Sequence, residues 1–163
     1  MAKISDRIPF EKAAQIVKEI KEILESNDIV FGIYGSYVRK EETIGDFDLL
    51  AFEKDCDKIR TLLRDKDYFP RIELYCIPEE YEESWETFVL YLTGSGAFNI
   101  WLRSIARNKG YLLNQYGLYE RDSGRLVTTK ENEIFRILSI EFIPPELRSE
   151  RYKMLWRTFL RRA

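Results

Sequence analysis

Residues 29–52 read IVFGIYG, SYVRKEETIGD and FDLLAF in succession. Two short apolar runs of strand composition are separated by a glycine turn and a charged connection. The second run opens on Asp46-Phe47-Asp48. Side chains alternate across a strand, so both carboxylates stand on one face while Phe47 and Leu49 stand on the other. Like charges held on one strand face repel. The pair therefore asks two things of any fold: a packed layer against the apolar face, and a cation against the charged one.

The flanking sequence supplies the layer. Phe10, Ala13, Ala14, Val17, Ile20 and Leu24 recur at helical spacing and predict an amphipathic helix laid on a sheet. CDKIRTLLRD reads as a second helix and RIELYCI as a third strand, which makes an alternating α/β first half. Pro78 and the acidic EEYEESWE mark a change of domain, giving expected domains of 1–82 and 83–163. In the second, SGAFNIWLRSIARNKG predicts a helix closed by Gly110. YLLNQYGLYE and RLVTT predict short strands about a DSGR turn, and ENEIFRILS a further helix. After the Pro144-Pro145 break, a terminal basic helix is expected over about 147–162, with Leu147, Tyr152, Leu155, Trp156 and Phe159 on its apolar side.

Composition excludes several classes. At 45% hydrophobic and 33% charged, the 163 residues have the balance of a folded chain with a core. No run approaches the ~20 apolar residues of a membrane span, and MAKISDRIPFEK has no apolar signal core. No membrane partner is expected, and a cytoplasmic monomer is. Histidine is absent and Cys56 and Cys76 form no CxxC pair, so nothing completes a zinc site, and both thiols are expected to be reduced and partly buried. Any general base must be a carboxylate, a lysine, a tyrosine or water. Net charge is −2, yet residues 1–80 hold 13 Lys and Arg against 18 Asp and Glu. Two acid-free basic stripes lie in the second half, one with Arg103, Arg107 and Lys109, the other with Arg157, Arg161 and Arg162. These are where a polyanion would sit, the alternative being that both are solvated helix faces.

In RIELYCI the alternation sets Ile72, Leu74 and Cys76 to one side and Glu73 to the other, where it joins Asp46 and Asp48 if the strands are neighbours. Three carboxylates suit a hard divalent cation, and could hold two ions ~3.5–4 Å apart for in-line phosphoryl or nucleotidyl transfer. The Gly35-Ser36 turn, expected to open a short helix, offers backbone N–H groups and a hydroxyl to a triphosphate, with Arg39 one turn later. Taken singly, an Asp-x-Asp is often an exposed strand edge and a Gly-Ser merely a turn. It is their order and spacing that point to one site.

In this combination the chain resembles the nucleotidyltransferase superfamily, and within it the X-family DNA polymerases of the polymerase beta type. RIPFEKA, GSYVRKEETIGDFDLL, RIELYCIP, YLTGSGAFNIWLRSIARNKGYLLNQYGLY and FIPPELRSE look like successive blocks of that family over roughly residues 7–150. The resemblance implies an α/β nucleotidyltransferase palm, a mixed sheet with flanking helices, followed by a small α+β lobe for nucleotide selection. It implies that Asp46, Asp48 and Glu73 hold two Mg²⁺ ions, with Mn²⁺ as a substitute, and that Gly35, Ser36, Arg39 and Gly45 contact the triphosphate of a deoxynucleotide. Tyr91, Leu92, Thr93 and Gly94 match the turn that packs against the sugar and disfavours a 2′-hydroxyl. Asn99 and Arg103, four apart on one helix face, match residues touching the incoming base and the template. The implied partners are gapped or primer-template DNA and deoxynucleoside triphosphates, and the implied activity is primer extension in short-gap repair.

The departures are specific. Glu73 stands where the family has aspartate, Tyr75 where it has arginine, and Gly96 where it has a larger residue. The interval between Asp48 and Glu73 is shorter than usual, as if a peripheral hairpin were lost. The resemblance begins at RIPFEKA, without the family's helix-hairpin-helix and lyase domains, and is expected to describe a minimal form like the compact polymerases of large DNA viruses. Two other readings stay open here: a small nucleotidyltransferase with a protein, antibiotic or RNA acceptor, and a non-catalytic DNA-binding module that keeps the fold.

Overall fold

Strand β1 is only Ile8–Pro9, and helix α1 (Phe10–Glu25) follows it directly. Ala13, Ile20 and Leu24 from its apolar stripe are fully buried, and burying each of the two larger side chains stabilises the unit by about 1.5–3 kcal/mol. Asn27 closes the helix by donating its amide to the Ile23 carbonyl at 2.8 Å. The computed structural model describes residues 7–161, and the chain divides into two units between Glu82 and Glu83. Among the described residues no helix is long and apolar enough to cross a membrane.

In the first unit β2 (Phe31–Tyr34) runs antiparallel to β4 (Phe47–Phe52), and the short β3 (Thr43–Ile44) pairs with β1. Helix α2 (Glu53–Leu63) leaves β4 without a loop, with Glu53 and Asp55 in its first turn, where the helix dipole favours acids. It returns the chain to β5 (Ile72–Ile77), which lies parallel to β4, so the sheet order is β2-β4-β5 and the sheet is mixed. Phe47, Leu49 and Ala51 are fully buried and pack with Ile20 and Leu24 of α1 and Ile59 and Leu63 of α2. The two helices thus cover the face that the alternation assigned to the core. Ile72, Leu74 and Cys76 project into the same layer.

That projection explains a correction. Cys56 and Cys76 are joined as a disulfide, with their Cα atoms 6.3 Å apart, and are not the reduced thiols expected. Cys56 lies in the first turns of α2, and Cys76 is the register partner of Ala51, at the end of the strand from which α2 departs. The crossover brings together two cysteines that are 20 residues apart in the chain, a juxtaposition that spacing alone does not reveal.

The second unit begins with α3 (Trp85–Thr93) and α4 (Gly96–Asn108), followed by the antiparallel sheet β6 (Tyr111–Asn114), β7 (Gly117–Glu120) and β8 (Leu126–Thr128), and by α5 (Glu131–Ile137). Gly110, past the end of α4, has φ +90°, as a helix-ending glycine should. Phe98, Leu102, Leu118, Ile134, Phe135 and Trp156 form the centre of this unit's core.

The expected terminal helix over 147–162 is not continuous. Pro145–Leu147, Glu150–Tyr152 and Arg157–Phe159 are 3₁₀ turns, and only α6 (Lys153–Trp156) is α-helical. Ser149 is extended, Arg148 is fully buried, and the segment ends by pairing Leu160 with Ile140. The backbone N–H of Glu141 donates to the Phe159 carbonyl at 2.7 Å and that of Arg161 to the Ser139 carbonyl at 2.8 Å. Those bonds and the indole of Trp156, which donates to the Leu147 carbonyl at 2.7 Å, replace the helical ladder. Of the expected apolar side only Trp156 is fully buried, while Leu155 is 43% exposed.

Candidate active site

The register of the first sheet sets Tyr34, Asp48 and Glu73 in one row across β2, β4 and β5, and Gly32, Leu50 and Tyr75 in the next. Both rows lie on the face away from α1 and α2. Leu50 is fully buried. The Tyr34 ring lies over Gly32, where any Cβ would collide with it. Tyr75 donates its hydroxyl to a Glu73 carboxylate oxygen at 3.0 Å. The carboxylates therefore stand on an ordered floor of strand side chains.

Asp46 precedes β4 and shares the face of Asp48. Its pKa is raised by burial, then by the charge of Glu73 and a hydrogen bond with it, against a smaller opposing effect of Arg71. Asp48 is raised to about 7, first by burial and then by the charges of Glu73 and Asp46, with Arg39 opposing. Two carboxyls raised first by burial and then by a neighbouring carboxylate mark negative charge that the protein's own cations do not fully offset. Among the described residues no three His, Cys, Asp or Glu side chains are drawn together tightly enough to cage an ion on their own. As donors, three carboxylates with this electrostatic excess nevertheless fit a hard divalent cation.

Gly35 follows β2 with φ +74°, and a Cβ there would collide with the carboxylate of Asp48. Conformation and space both require glycine, which brings the turn's backbone against the carboxylate. The turn does not open a helix as expected. Arg39 N–H closes on the Gly35 carbonyl at 3.2 Å, after which Lys40 adopts φ +57° and Glu41 N–H bonds the Ser36 carbonyl at 3.2 Å, so the chain reverses within a single turn. Arg39 donates its Nε to Glu41 at 2.9 Å. Arg71, which sequence reasoning missed, donates from Nη1 to the Gly45 carbonyl at 3.0 Å and so ties the approach to Asp46 to the start of β5. Its only signal in the sequence is a base directly before the strand that carries Glu73.

In the second unit the Asn99 amide donates to the Tyr91 carbonyl at 2.9 Å, and the Arg103 guanidinium lies 5.3 Å from the centre of the Tyr91 ring. These three residues line one small cavity with Asn114. Tyr91 is 39% exposed, whereas Leu92 and Thr93 are buried, and the Thr93 hydroxyl donates to the Val89 carbonyl at 2.6 Å. Their side chains shape the turn from within, and Gly94 ends the helix at φ +64°. Arg107, Lys109, Arg157 and Arg161 are exposed, and Arg162 lies outside the described residues.

A mixed sheet with acidic groups facing one another on parallel strands beside a glycine-serine turn, followed by a separate helical and antiparallel unit, makes a polymerase beta-like fold. The structure of Leishmania infantum polymerase beta in a ternary P/T complex matches it with a TM-score of 0.73 at 21% identity, over 90% of this chain and 78% of that one. Residues 88–149 match the family model of the DNA polymerase beta thumb. The Repair DNA polymerase X of African swine fever virus is 28% identical over 89% of this chain and 92% of its own length. The DNA polymerase/3'-5' exonuclease PolX of Bacillus subtilis is 28% identical over 88% of this chain, and DNA polymerase IV of Saccharomyces cerevisiae 33% over 53%. The aligned regions span 29% and 14% of those two longer proteins. The chain is thus similar to X-family DNA polymerases, and its residues 88–149 to the polymerase beta thumb.

Proposed function

We propose that the chain is a template-directed DNA polymerase that adds deoxynucleotides to a primer 3′-hydroxyl and fills short gaps. The observation that carries this reading is the opposition of Asp48 and Glu73 on β4 and β5, with Asp46 beside them and the Gly35-Ser36 turn against Asp48. Asp46, Asp48 and Glu73 would hold Mg²⁺, with Mn²⁺ as a substitute. When bound, the ions would supply Lewis-acid activation of the attacking hydroxyl and neutralise the developing phosphate charge. Gly35 and Ser36 would present backbone N–H groups and a hydroxyl to the triphosphate, close to Gly45, with Arg39 exchanging Glu41 for phosphate oxygens. Tyr91 would meet the sugar, and Asn99 and Arg103 the base edges, once Asn99 leaves the Tyr91 carbonyl. Arg103, Arg107, Lys109, Arg157 and Arg161, with Arg162, would meet phosphates. Incubation with labelled deoxynucleotides, a recessed DNA primer, and protein and RNA acceptors tests the assignment. Label on the primer supports it, and label found solely on a non-DNA acceptor overturns it.

Protons and the cation should compete at this site. Asp48 binds its proton more tightly in the fold than in the unfolded chain, so its contribution makes the metal-free protein less stable as pH rises from the ordinary carboxylate range through about 7. A divalent ion must displace that proton, so the thermal stabilisation by Mg²⁺ is expected to be small near about pH 6 and larger near about pH 8. Equal shifts in the two buffers would exclude Asp48 from the cation site.

Glu73 separates a working substitution from a degraded one. Its hydroxyl partner Tyr75 fixes the longer side chain, so Glu73→Asp, which withdraws the carboxylate from that partner, is expected to slow addition about tenfold, and Glu73→Ala by about a hundredfold. Single-turnover extension measures both. An alanine variant as fast as the parent would mean that Glu73 takes no part in the chemistry.

A further inference from the structure

The sheet of the second unit has an outer face, on the side away from that unit's core. Alternation along β7 buries Leu118 completely and sends Tyr119 to the opposite side. The register pairs Tyr119 with Leu112 of β6 and with Leu126 of β8, so these three side chains form one row across the outer face. Leu112 is 53% exposed and Leu126 44%, an unusual concentration of apolar surface on so small a sheet. Asn114 and Arg121, each two residues along from the row, share that face, and with Glu120 and Gly124 they border an open depression of about 410 Å³. Gly117 adds no side chain, and the Leu126 methyl lies close over it.

Charge is sorted around this row. Glu120 is held by Arg125 at 2.8 Å and by the Ser123 hydroxyl at 2.7 Å, which neutralises the acid nearest the depression. Arg121 donates its backbone N–H to the Gly110 carbonyl at 3.0 Å and a guanidinium N–H to the Arg107 carbonyl at 3.3 Å, which anchors it at the basic end of α4. Arg107, Lys109 and Arg121 therefore gather at one end of the row with Asp122 as the local acid, a surplus of positive charge beside an aromatic ring. An apolar and aromatic platform that ends in cations suits stacked bases whose phosphates run to the basic end.

We propose that this outer face is a second nucleic-acid contact that holds a single-stranded segment, with Tyr119 stacked on a base and Arg121 on a phosphate. The choice of ligand rests on the polymerase reading, but the contact requires neither metal nor nucleoside triphosphate. Its failure and the failure of catalysis are therefore measured separately.

The test is fluorescence anisotropy of a labelled oligothymidylate titrated with the full chain, without divalent metal, over a salt series. Tyr119→Leu keeps the apolar row and removes the stacking ring, and is expected to weaken binding about fivefold or more, while Tyr119→Trp keeps it. Arg121→Ser is expected to lower the log–log salt slope by about 0.7, the loss of one phosphate contact on a single strand. Should Tyr119→Leu fail to fold, the exposed Arg121 position decides alone. Parental affinity and parental slope in both folded variants would overturn the proposal and leave the grip to α4. Concentration-dependent self-association that Tyr119→Leu abolishes, with oligonucleotide binding untouched, would also overturn it and assign the face to a second copy of the chain.

Discussion

Asp48→Asn is expected to reduce nucleotide addition by about a thousandfold or more, and to raise the melting temperature of the metal-free chain. The two effects have one origin. Asp48 is pushed to about 7 by burial and by the charges of Glu73 and Asp46, so above that pH the fold carries an ionised carboxylate that would be better solvated in the unfolded chain. Asparagine keeps the shape, removes the charge and cannot bind a hard cation with the same strength. Activity and stability should therefore move in opposite directions, whereas a variant that is merely damaged would lose both. Extension assays and thermal melts in metal-free buffer above neutrality check the pair. Asp46→Asn is expected to follow the same pattern with a smaller gain in stability, because its pKa is raised without reaching the shift of Asp48.

Arg148→Ala is expected to cost the second unit about 3–5 kcal/mol. Arg148 is 1% exposed. Its Nε donates to the Ile143 carbonyl at 2.8 Å, its Nη2 pairs with Glu131 at 3.1 Å, and its guanidinium lies 5.3 Å from the Phe98 ring and 5.5 Å from those of Phe135 and Phe142. Burial opposes its charge, and Glu131 and Glu146 sustain it. Alanine would leave a cavity between three rings, an unpaired Ile143 carbonyl and a lone Glu131. Arg148→Met fills the space without the charge and is expected to lose less. The damage should extend to the start of α4, since the Arg148 carbonyl accepts from the Ser95 N–H at 3.2 Å and from its hydroxyl at 2.6 Å. Trp85, Trp101 and Trp156, the chain's 3 tryptophans, all lie in this unit, so their fluorescence in a urea titration reads its stability without the other. A midpoint for Arg148→Ala equal to the parent's would refute the assignment.

Residues whose role depends on local periodicity were legible in the sequence. Alternation placed Phe47 and Leu49 in the core and Asp48 opposite them, and helical spacing placed Ile20 and Leu24 against the sheet. Glu73 was legible as a candidate, but its pairing with Asp48 depends on β4 and β5 being adjacent, which only the fold decides. What escaped was non-local. A basic residue is usually a surface residue, so nothing marked Arg148 as the centre of a core or Arg71 as the strap on Gly45. The cysteines meet through a crossover, and the terminal segment, which has an acceptable helical pattern, exchanges its ladder for backbone bonds to Ser139 and Glu141. Tertiary partners outweigh propensity there.

The most direct measurement is single-nucleotide extension of a gapped duplex in four versions that differ solely in the template base opposite the gap, each offered every deoxynucleoside triphosphate in turn with Mg²⁺. The parent chain should extend the primer with the complementary nucleotide in each version, and Asp48→Asn should leave all four primers unextended. Failure of the folded parent to extend any of them, or addition that ignores the template base, would contradict template-directed polymerisation at the Asp46, Asp48 and Glu73 site.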